Sequence, residues 1–221
     1  MINIEAYLNA LIRELKQTFG KDLCYVGLQG SYLRGEATES SDIDVMVVLE
    51  TVTPAYMEQY RTILQSLGEY DRACGFLCGR AELANWNPLE IWQLAHGTKD
   101  FYGTLAELLP PFTVEDHRTY VKMSLNNLYH ELCHRCIHGN QENTAAALPG
   151  MYKQAFFILQ GLWLLRTGEF RASKQQLLEV LSDPDHGVLE RCMALAEGCP
   201  PEPELDYTRL FFWCQRRCID V

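Results

Sequence analysis

The sequence lacks any long uncharged apolar run, any low-complexity segment and any internal repeat. A membrane-spanning helix needs about 20 consecutive apolar residues, and no stretch of this chain reaches that length. Residues 1–19 are charged and helically periodic, unlike a signal peptide. These absences predict a protein that does not enter a membrane and that works in the cytoplasm.

Basic residues are also scarce. The chain has 19 Lys and Arg against 29 Asp and Glu, which gives a formal net charge of −10. A protein that binds a nucleic-acid duplex needs a basic face, so the charge argues against a duplex as the main partner. A negative field instead attracts small cations or a basic protein by long-range electrostatics. We therefore expect a small-molecule partner, while a protein partner remains open.

Cysteine, by contrast, is plentiful. The nine cysteines are odd in number and fall mostly within helical patterns. A secreted disulfide scaffold would be short, and its cysteines would form a paired framework. The pattern indicates reduced thiols, which agrees with a cytoplasmic location.

Hydrophobic periodicity divides the chain into an α/β part and a helical part. The first part predicts helices over 3–19, 31–36, 54–67 and 89–95, strands over 22–29, 42–49 and 72–79, and an irregular segment over 97–103. Pro110-Pro111 marks the boundary. The second part predicts helices over 113–138, 144–167, 173–182, 186–196 and 203–218, with Pro149-Gly150 as a feature that could delay the second of these.

One stretch of the first part combines a glycine turn with paired carboxylates. Gly30-Ser31 follows the first predicted strand, and Asp42 and Asp44 begin the second, ahead of the apolar run Val45–Leu49. Residues two apart on a strand point to the same face, so both carboxylates face one way. Such oxygen ligands suit Mg²⁺, which favours one or two carboxylates together with substrate phosphates.

Gly30-Ser31, an eleven-residue step from Ser31 to Asp42, and Asp-Ile-Asp followed by apolar residues together resemble the signature of the nucleotidyltransferase superfamily that includes DNA polymerase beta. Arg34 and Gly35 also fit its smaller bacterial members, among them aminoglycoside nucleotidyltransferases and the minimal nucleotidyltransferases of toxin–antitoxin pairs. The close resemblance covers about residues 22–50. It implies an α+β fold in which a small mixed-sheet nucleotidyltransferase domain, residues 1–110, precedes an all-α helical bundle, residues 111–221.

The resemblance also implies roles for individual residues. Asp42 and Asp44 would be catalytic ligands of Mg²⁺, with two ions expected, while Gly30, Ser31 and Arg34 would bind the triphosphate of an NTP co-substrate. For Arg34 an alternative is a surface ion pair with Glu36 or Glu39.

A third carboxylate is common in the superfamily, either as a metal ligand or as the base that activates the acceptor hydroxyl. The third predicted strand, 73–78, carries no acid. Glu82 lies just past its end and Asp71 just before its start. We expect Glu82 to be the third catalytic acid, because the second and third strands should end near one another. Asp71 is the alternative. The absence of both from the site is also open.

The helical part holds two further features. His130, Cys133 and His134 share one face of a predicted helix, but Cys136 points elsewhere, so a packed or substrate-facing helix is favoured over a four-ligand zinc site. The apolar run Leu210–Trp213 fits either the bundle core or a homodimer interface.

These observations favour a Mg²⁺-dependent nucleotidyltransferase that transfers a nucleoside monophosphate from an NTP to a hydroxyl of a small, cationic, aminoglycoside-like acceptor. Modification of a protein side chain, as in the antitoxins, is the alternative within this class. A catalytically silent nucleotide-binding module is the alternative outside it, and the acid-free third strand is the reason to retain it.

Overall fold

The computed structural model describes residues 2–221, and the chain divides into two compact units after Phe112. No helix within the described range combines the length and the apolar character needed to cross a membrane.

The first unit is built on a mixed sheet, as the resemblance implies, with four strands where the sequence predicts three. Its strands, β1 (Leu23–Leu28), β2 (Ile43–Leu49), β3 (Ala73–Gly79) and β4 (Lys99–Tyr102), lie in the order β3-β2-β1-β4. β1 runs antiparallel to β2 and β4, whereas β2 and β3 are parallel. Its helices are α1 (Ile4–Phe19), α2 (Gly30–Arg34), α3 (Pro54–Ser66), α4 (Arg80–Ala84) and α5 (Pro88–Gly97).

Each face of this sheet buries its own hydrophobic cluster. Val45 and Val47 of β2 belong to the cluster that includes α1 residues such as Leu8 and Leu11. The alternate residues of β2, Met46 and Val48, join a second cluster with side chains of α4 and α5. Because strand side chains alternate between faces, the near-continuous apolar run of β2 is what a strand covered on both sides requires.

The segment 97–103, expected to be irregular, contains β4. Lys99 and Asp100 pair with Leu28 and Gly27 of β1 and are exposed, while Phe101 and Tyr102 pack against the core. Four residues at a sheet edge give a weak periodic signal, and their pairing with β1 is distant in sequence, so local pattern does not reveal it.

Within the described residues, every regular element of the second unit is a helix, which agrees with the predicted fold class. It contains α6 (Val114–His138), α7 (Gln141–Thr167), α8 (Lys174–Leu178), α9 (Asp185–Ala196) and α10 (Pro203–Asp220). The expected N-cap of α6 is present as a capping box: Asp116 N–H donates to Thr113 Oγ1 at 3.1 Å, and Thr113 N–H donates to Asp116 Oδ2 at 2.8 Å.

α7 begins earlier than expected and carries Pro149 inside it. Asn140 caps its start by accepting the Asn143 N–H at 2.8 Å. On either side of the proline, Leu148 and Met151 are fully buried in the bundle core. An interior proline removes one helical hydrogen bond, and burial of its neighbours offsets that loss.

α10 is anchored through a buried ion network. Arg217 Nε donates to Asp185 Oδ1 at 2.8 Å, and the Trp213 indole N–H donates to the same oxygen at 2.8 Å. Leu210 and Trp213 are therefore bundle core, whereas Phe212 of the same run is 60% exposed. The homodimer expectation can rest only on exposed side chains such as Phe212.

Candidate active site

The turn from β1 into α2 brings backbone against a carboxylate. Gly30 has a φ of +68°, a conformation that favours glycine. A Cβ at this position would overlap Oδ2 of Asp44. Position 30 must therefore be glycine both for its backbone angle and for the space that the Asp44 side chain occupies.

Asp42 and Asp44 stand at the start of β2. Ile43, between them, is buried in the cluster on the α1 side, so Asp44 projects from the opposite face of the strand. Asp42 is exposed and Asp44 is partly buried. The backbone N–H of Gln29 donates to the Asp44 carbonyl at 2.8 Å. This bond holds the end of β1 directly beside the start of β2.

Cys74 lies directly opposite Asp44 on the neighbouring strand β3. Although Cys74 is exposed, desolvation by neighbouring atoms and the nearby Asp44 and Asp42 carboxylates raise the pKa of its thiol. Both aspartates thus act electrostatically on this side chain. The position beside the pair, where a third carboxylate could stand, holds a neutral thiol.

The structure does not bring Glu82 to this pair. Because β2 and β3 are parallel, the level of Asp44 is the start of β3, whereas Glu82 lies on α4, beyond the far end of that strand. The strand rises about 16 Å from Cys74 to Gly79. The expectation of Glu82 near the aspartates assumes that β2 and β3 end near one another. Asp42 and Asp44 instead lie at the start of β2, which is level with the start of β3. Asp71 precedes β3 at the correct end and is exposed.

Arg34 makes the ion pair that the sequence left open. Its Nε donates to Glu36 Oε2 at 3.1 Å, and the two side chains are only 16% and 19% exposed. Ser31 is partly buried in α2, one residue after Gly30. Any phosphate contact of Arg34 has to form alongside this partly buried pair.

A carboxylate not anticipated from the sequence faces the same side of the sheet. Asp100 of β4 pairs with Gly27, which also pairs with Met46, so Asp100 shares the face of Asp44 and Met46. It lies two strands from Asp44, about 12 Å away between Cα atoms by standard strand spacings. The Tyr25 hydroxyl donates to Asp100 Oδ1 at 2.6 Å, and burial together with this carboxylate raises the pKa of Tyr25. Asp100 could have been identified from the sequence only if residues 99–102 had been recognised as a strand.

The donor set near Gly30 fits Mg²⁺ as a partial site. Within residues 2–221, no group of three or more His, Cys, Asp or Glu side chains is arranged to hold a metal ion. Asp42 and Asp44 supply hard oxygen ligands, and Mg²⁺ usually completes its shell with waters and substrate phosphates. The residues present therefore suit an ion that arrives with a triphosphate.

The histidine cluster in the second unit differs from the expected one. His130, His134 and His138 line an exposed face of α6, with ring centroids 6.2 and 4.9 Å apart along the row. Cys133 is oriented toward Tyr129, whose pKa its thiol raises. Cys133 is therefore separate from the histidine row.

Comparison with known proteins agrees with the fold. A family model described as a nucleotidyltransferase domain matches residues 8–118, half of the chain. The protein adenylyltransferase MntA of Thermococcus cleftensis is 45% identical over 49 residues, which are 22% of this chain and 48% of that protein. A protein of Methanocaldococcus jannaschii with the provisional name protein adenylyltransferase MJ1305 is 32% identical over 63 residues, 28% of this chain and 43% of that protein. The chain thus spans less than half the length of these curated relatives.

A solved structure resembles the chain over nearly its whole length. The spectinomycin adenyltransferase AAD(9) from Enterococcus faecialis, crystallised with ATP and spectinomycin, superposes with a TM-score of 0.63 at 15% identity, covering 97% of this chain and 99% of that one. That identity supports the shared fold alone. The chain carries the motif and the mixed sheet, and the family model matches half of its length. It therefore belongs to the nucleotidyltransferase domain family.

Proposed function

We propose that this protein is a Mg²⁺-dependent nucleotidyltransferase that moves a nucleoside monophosphate from an NTP to a hydroxyl group. The observation that carries the proposal is the close packing of the Asp44 carboxylate against Gly30 at the turn between β1 and α2. This packing places a carboxylate that can bind a metal ion next to a glycine turn whose backbone can approach a phosphate.

In this proposal each residue has a defined task. The backbone at Gly30 and the hydroxyl of Ser31 bind the triphosphate, and Arg34 contributes positive charge there. Asp42 and Asp44 hold Mg²⁺, which when bound neutralises charge on the reacting phosphate. The transfer itself is an in-line attack of the acceptor oxygen on the α-phosphorus with pyrophosphate as the leaving group, so positioning is the main contribution of the protein.

Asp100 is our candidate for the base that accepts the proton of the acceptor hydroxyl. It faces the same side of the sheet as Asp44 but stands two strands away, too far to share a metal ligand sphere with it. The Tyr25 hydroxyl bond fixes the orientation of the Asp100 side chain.

We propose a small cationic molecule as the acceptor. The net charge of −10 supports this choice, because a negative field concentrates cations near the protein. Spectinomycin, present in the Enterococcus crystal structure, is the first compound to test.

A hydroxyl on a protein side chain is the second candidate acceptor. The names of the Thermococcus and Methanocaldococcus relatives favour it, since both describe protein adenylyltransferases. A catalytically silent nucleotide-binding module is the third possibility, and it is motivated by the thiol of Cys74 beside the aspartate pair.

One assay separates the three functions. Purified protein is incubated with each of the four NTPs, Mg²⁺ and a panel of spectinomycin and aminoglycosides, and pyrophosphate release is followed. Parallel reactions use α-labelled NTP with cell lysate. Asp44→Asn tests the metal site, and Glu58→Gln, which removes an exposed carboxylate on α3, is the charge-matched control.

The proposal expects acceptor-dependent release that falls at least 100-fold in Asp44→Asn and stays within twofold in Glu58→Gln. Label on a protein band would favour the second acceptor. NTP binding without turnover on any acceptor would favour the silent module and reject the enzyme.

A further inference from the structure

Arg72 connects two parts of the candidate site that are distant in sequence. It ends a short 3₁₀ turn, Tyr70–Arg72, directly before β3. Its Nε and Nη2 both donate to the backbone carbonyl of Ser41, at 3.0 and 2.9 Å, and Nη2 also donates to the Tyr32 hydroxyl at 2.6 Å. Its remaining nitrogen, Nη1, donates to Glu69 at 3.0 Å.

The two groups that this guanidinium joins lie inside the motif, one next to Ser31 and the other next to Asp42. The Ser41 carbonyl belongs to the peptide bond that leads into Asp42, so holding it restricts the backbone from which the first aspartate projects. Tyr32 follows Ser31 on α2, the helix that begins at Gly30. One side chain therefore bridges the helix of the phosphate turn and the residue that precedes Asp42.

The end of the loop nearest Asp42 is held by short-range bonds at the exposed surface, such as the Thr38 N–H to Ser41 Oγ at 2.8 Å. The Arg72 side chain, in contrast, is 22% exposed, and its planar fork matches a carbonyl and a hydroxyl simultaneously. A lysine ammonium carries its donors on a single nitrogen, so it cannot reproduce a planar fork that reaches Ser41, Tyr32 and Glu69 from three separate nitrogens.

We propose that Arg72 is a positioning residue for metal binding, which holds Asp42 in register with α2 so that the aspartate pair presents its oxygens to one ion. This inference rests on the proposed function, because it concerns the same metal site. Arg72 touches neither the nucleotide nor the acceptor in this proposal.

The test compares metal binding with fold stability. Mn²⁺ affinity is measured by electron paramagnetic resonance of the free ion for wild type, Arg72→Lys and Glu69→Gln, and melting temperature is recorded for each. Arg72→Lys should weaken Mn²⁺ binding at least tenfold. Glu69→Gln removes only the peripheral ion pair of Arg72 and should remain within twofold.

Turnover provides a second readout that a purely structural role would not give. In Arg72→Lys the Mg²⁺ concentration for half-maximal rate should rise about tenfold, while the rate at saturating Mg²⁺ recovers to within threefold of wild type. Tyr32→Phe removes one branch of the fork and retains the ring, so it should show a smaller increase of about threefold even if Arg72→Lys folds poorly.

The outcomes distinguish the two proposals. If the wild type binds Mn²⁺ and both Arg72→Lys and Tyr32→Phe bind it equally well, the positioning role is wrong and the proposed function stands. If the wild type binds no Mn²⁺ and transfers no nucleotide, the proposed function fails and this inference fails with it.

Discussion

Two glycines of the same short helix offer a matched test of the site. Gly30, with φ +68°, begins α2, and Gly35, with φ +72°, caps its end. Alanine at either position must adopt the left-handed conformation, which costs about 1–2 kcal/mol. A Cβ at Gly35 meets no atom within 4 Å, whereas one at Gly30 would overlap the Asp44 carboxylate. The two substitutions therefore share backbone strain and differ in the clash.

The expected effects follow from that difference. Gly35→Ala should lower the free energy of unfolding by about 1–2 kcal/mol. Gly30→Ala adds a steric term of about 1–3 kcal/mol, as overpacking of a filled space typically does. It must also displace Oδ2 of Asp44, and Mg²⁺ demands near-ideal ligand geometry. We expect its Mn²⁺ affinity to fall at least tenfold, or about 1.4 kcal/mol.

Urea unfolding and Mn²⁺ titration of both variants provide the measurement. The decisive quantity is metal affinity, with Gly35→Ala as the control for backbone strain. Wild-type Mn²⁺ affinity in Gly30→Ala would refute the reasoning. An equal loss of affinity in Gly35→Ala would also refute it, because strain alone would then explain the effect.

Three further predictions concern other positions. Cys74→Asp should place a carboxylate beside Asp44 and raise Mn²⁺ affinity about tenfold, and no change in a titration would show that position 74 does not reach the ion. Asp100→Asn should lower kcat at least 100-fold with Mg²⁺ dependence unchanged, whereas Glu82→Gln should stay within twofold; equal kinetics for the two variants would contradict the assignment of the base. Asp185→Ala should remove the buried acid partner of Arg217, leaving only the partly exposed Asp220, and should destabilise the second unit by about 3–5 kcal/mol in urea. A loss below about 1 kcal/mol would contradict the importance of the Asp185–Arg217 ion pair.

Local chemistry predicts most of the helices of this protein. The Thr113 capping box and the proline of Thr53-Pro54 mark helix starts, because the sequence itself holds the groups that satisfy the first N–H donors. The start of α7 is harder to predict from the sequence. Whether a helix continues through Pro149 depends on how deeply the neighbours of the proline are buried. Burial is decided by the bundle rather than by the local residues.

Strand pairing limited what the sequence could say about the site. The glycine turn and aspartate pair form a local motif, and their expected proximity agrees with the contact between Gly30 and Asp44. The expectation that Glu82 is the third acid depends on the relative direction of β2 and β3, which the sequence does not give. A helical crossover joins the two strands, and parallel strands joined in this way align their starts, so Cys74 rather than Glu82 is level with Asp44. Asp100 required the non-local pairing of β4, which no local pattern contains.

The distribution of thiols makes the site accessible to spectroscopy. Of the nine cysteines, three are exposed: Cys74 beside the aspartates, and Cys136 and Cys199 in the second unit. Replacing the latter two by serine would leave Cys74 as the one exposed attachment point. A fluorophore or spin label there would lie on β3 directly opposite Asp44, where it would report the arrival of a metal ion or nucleotide without any need for turnover.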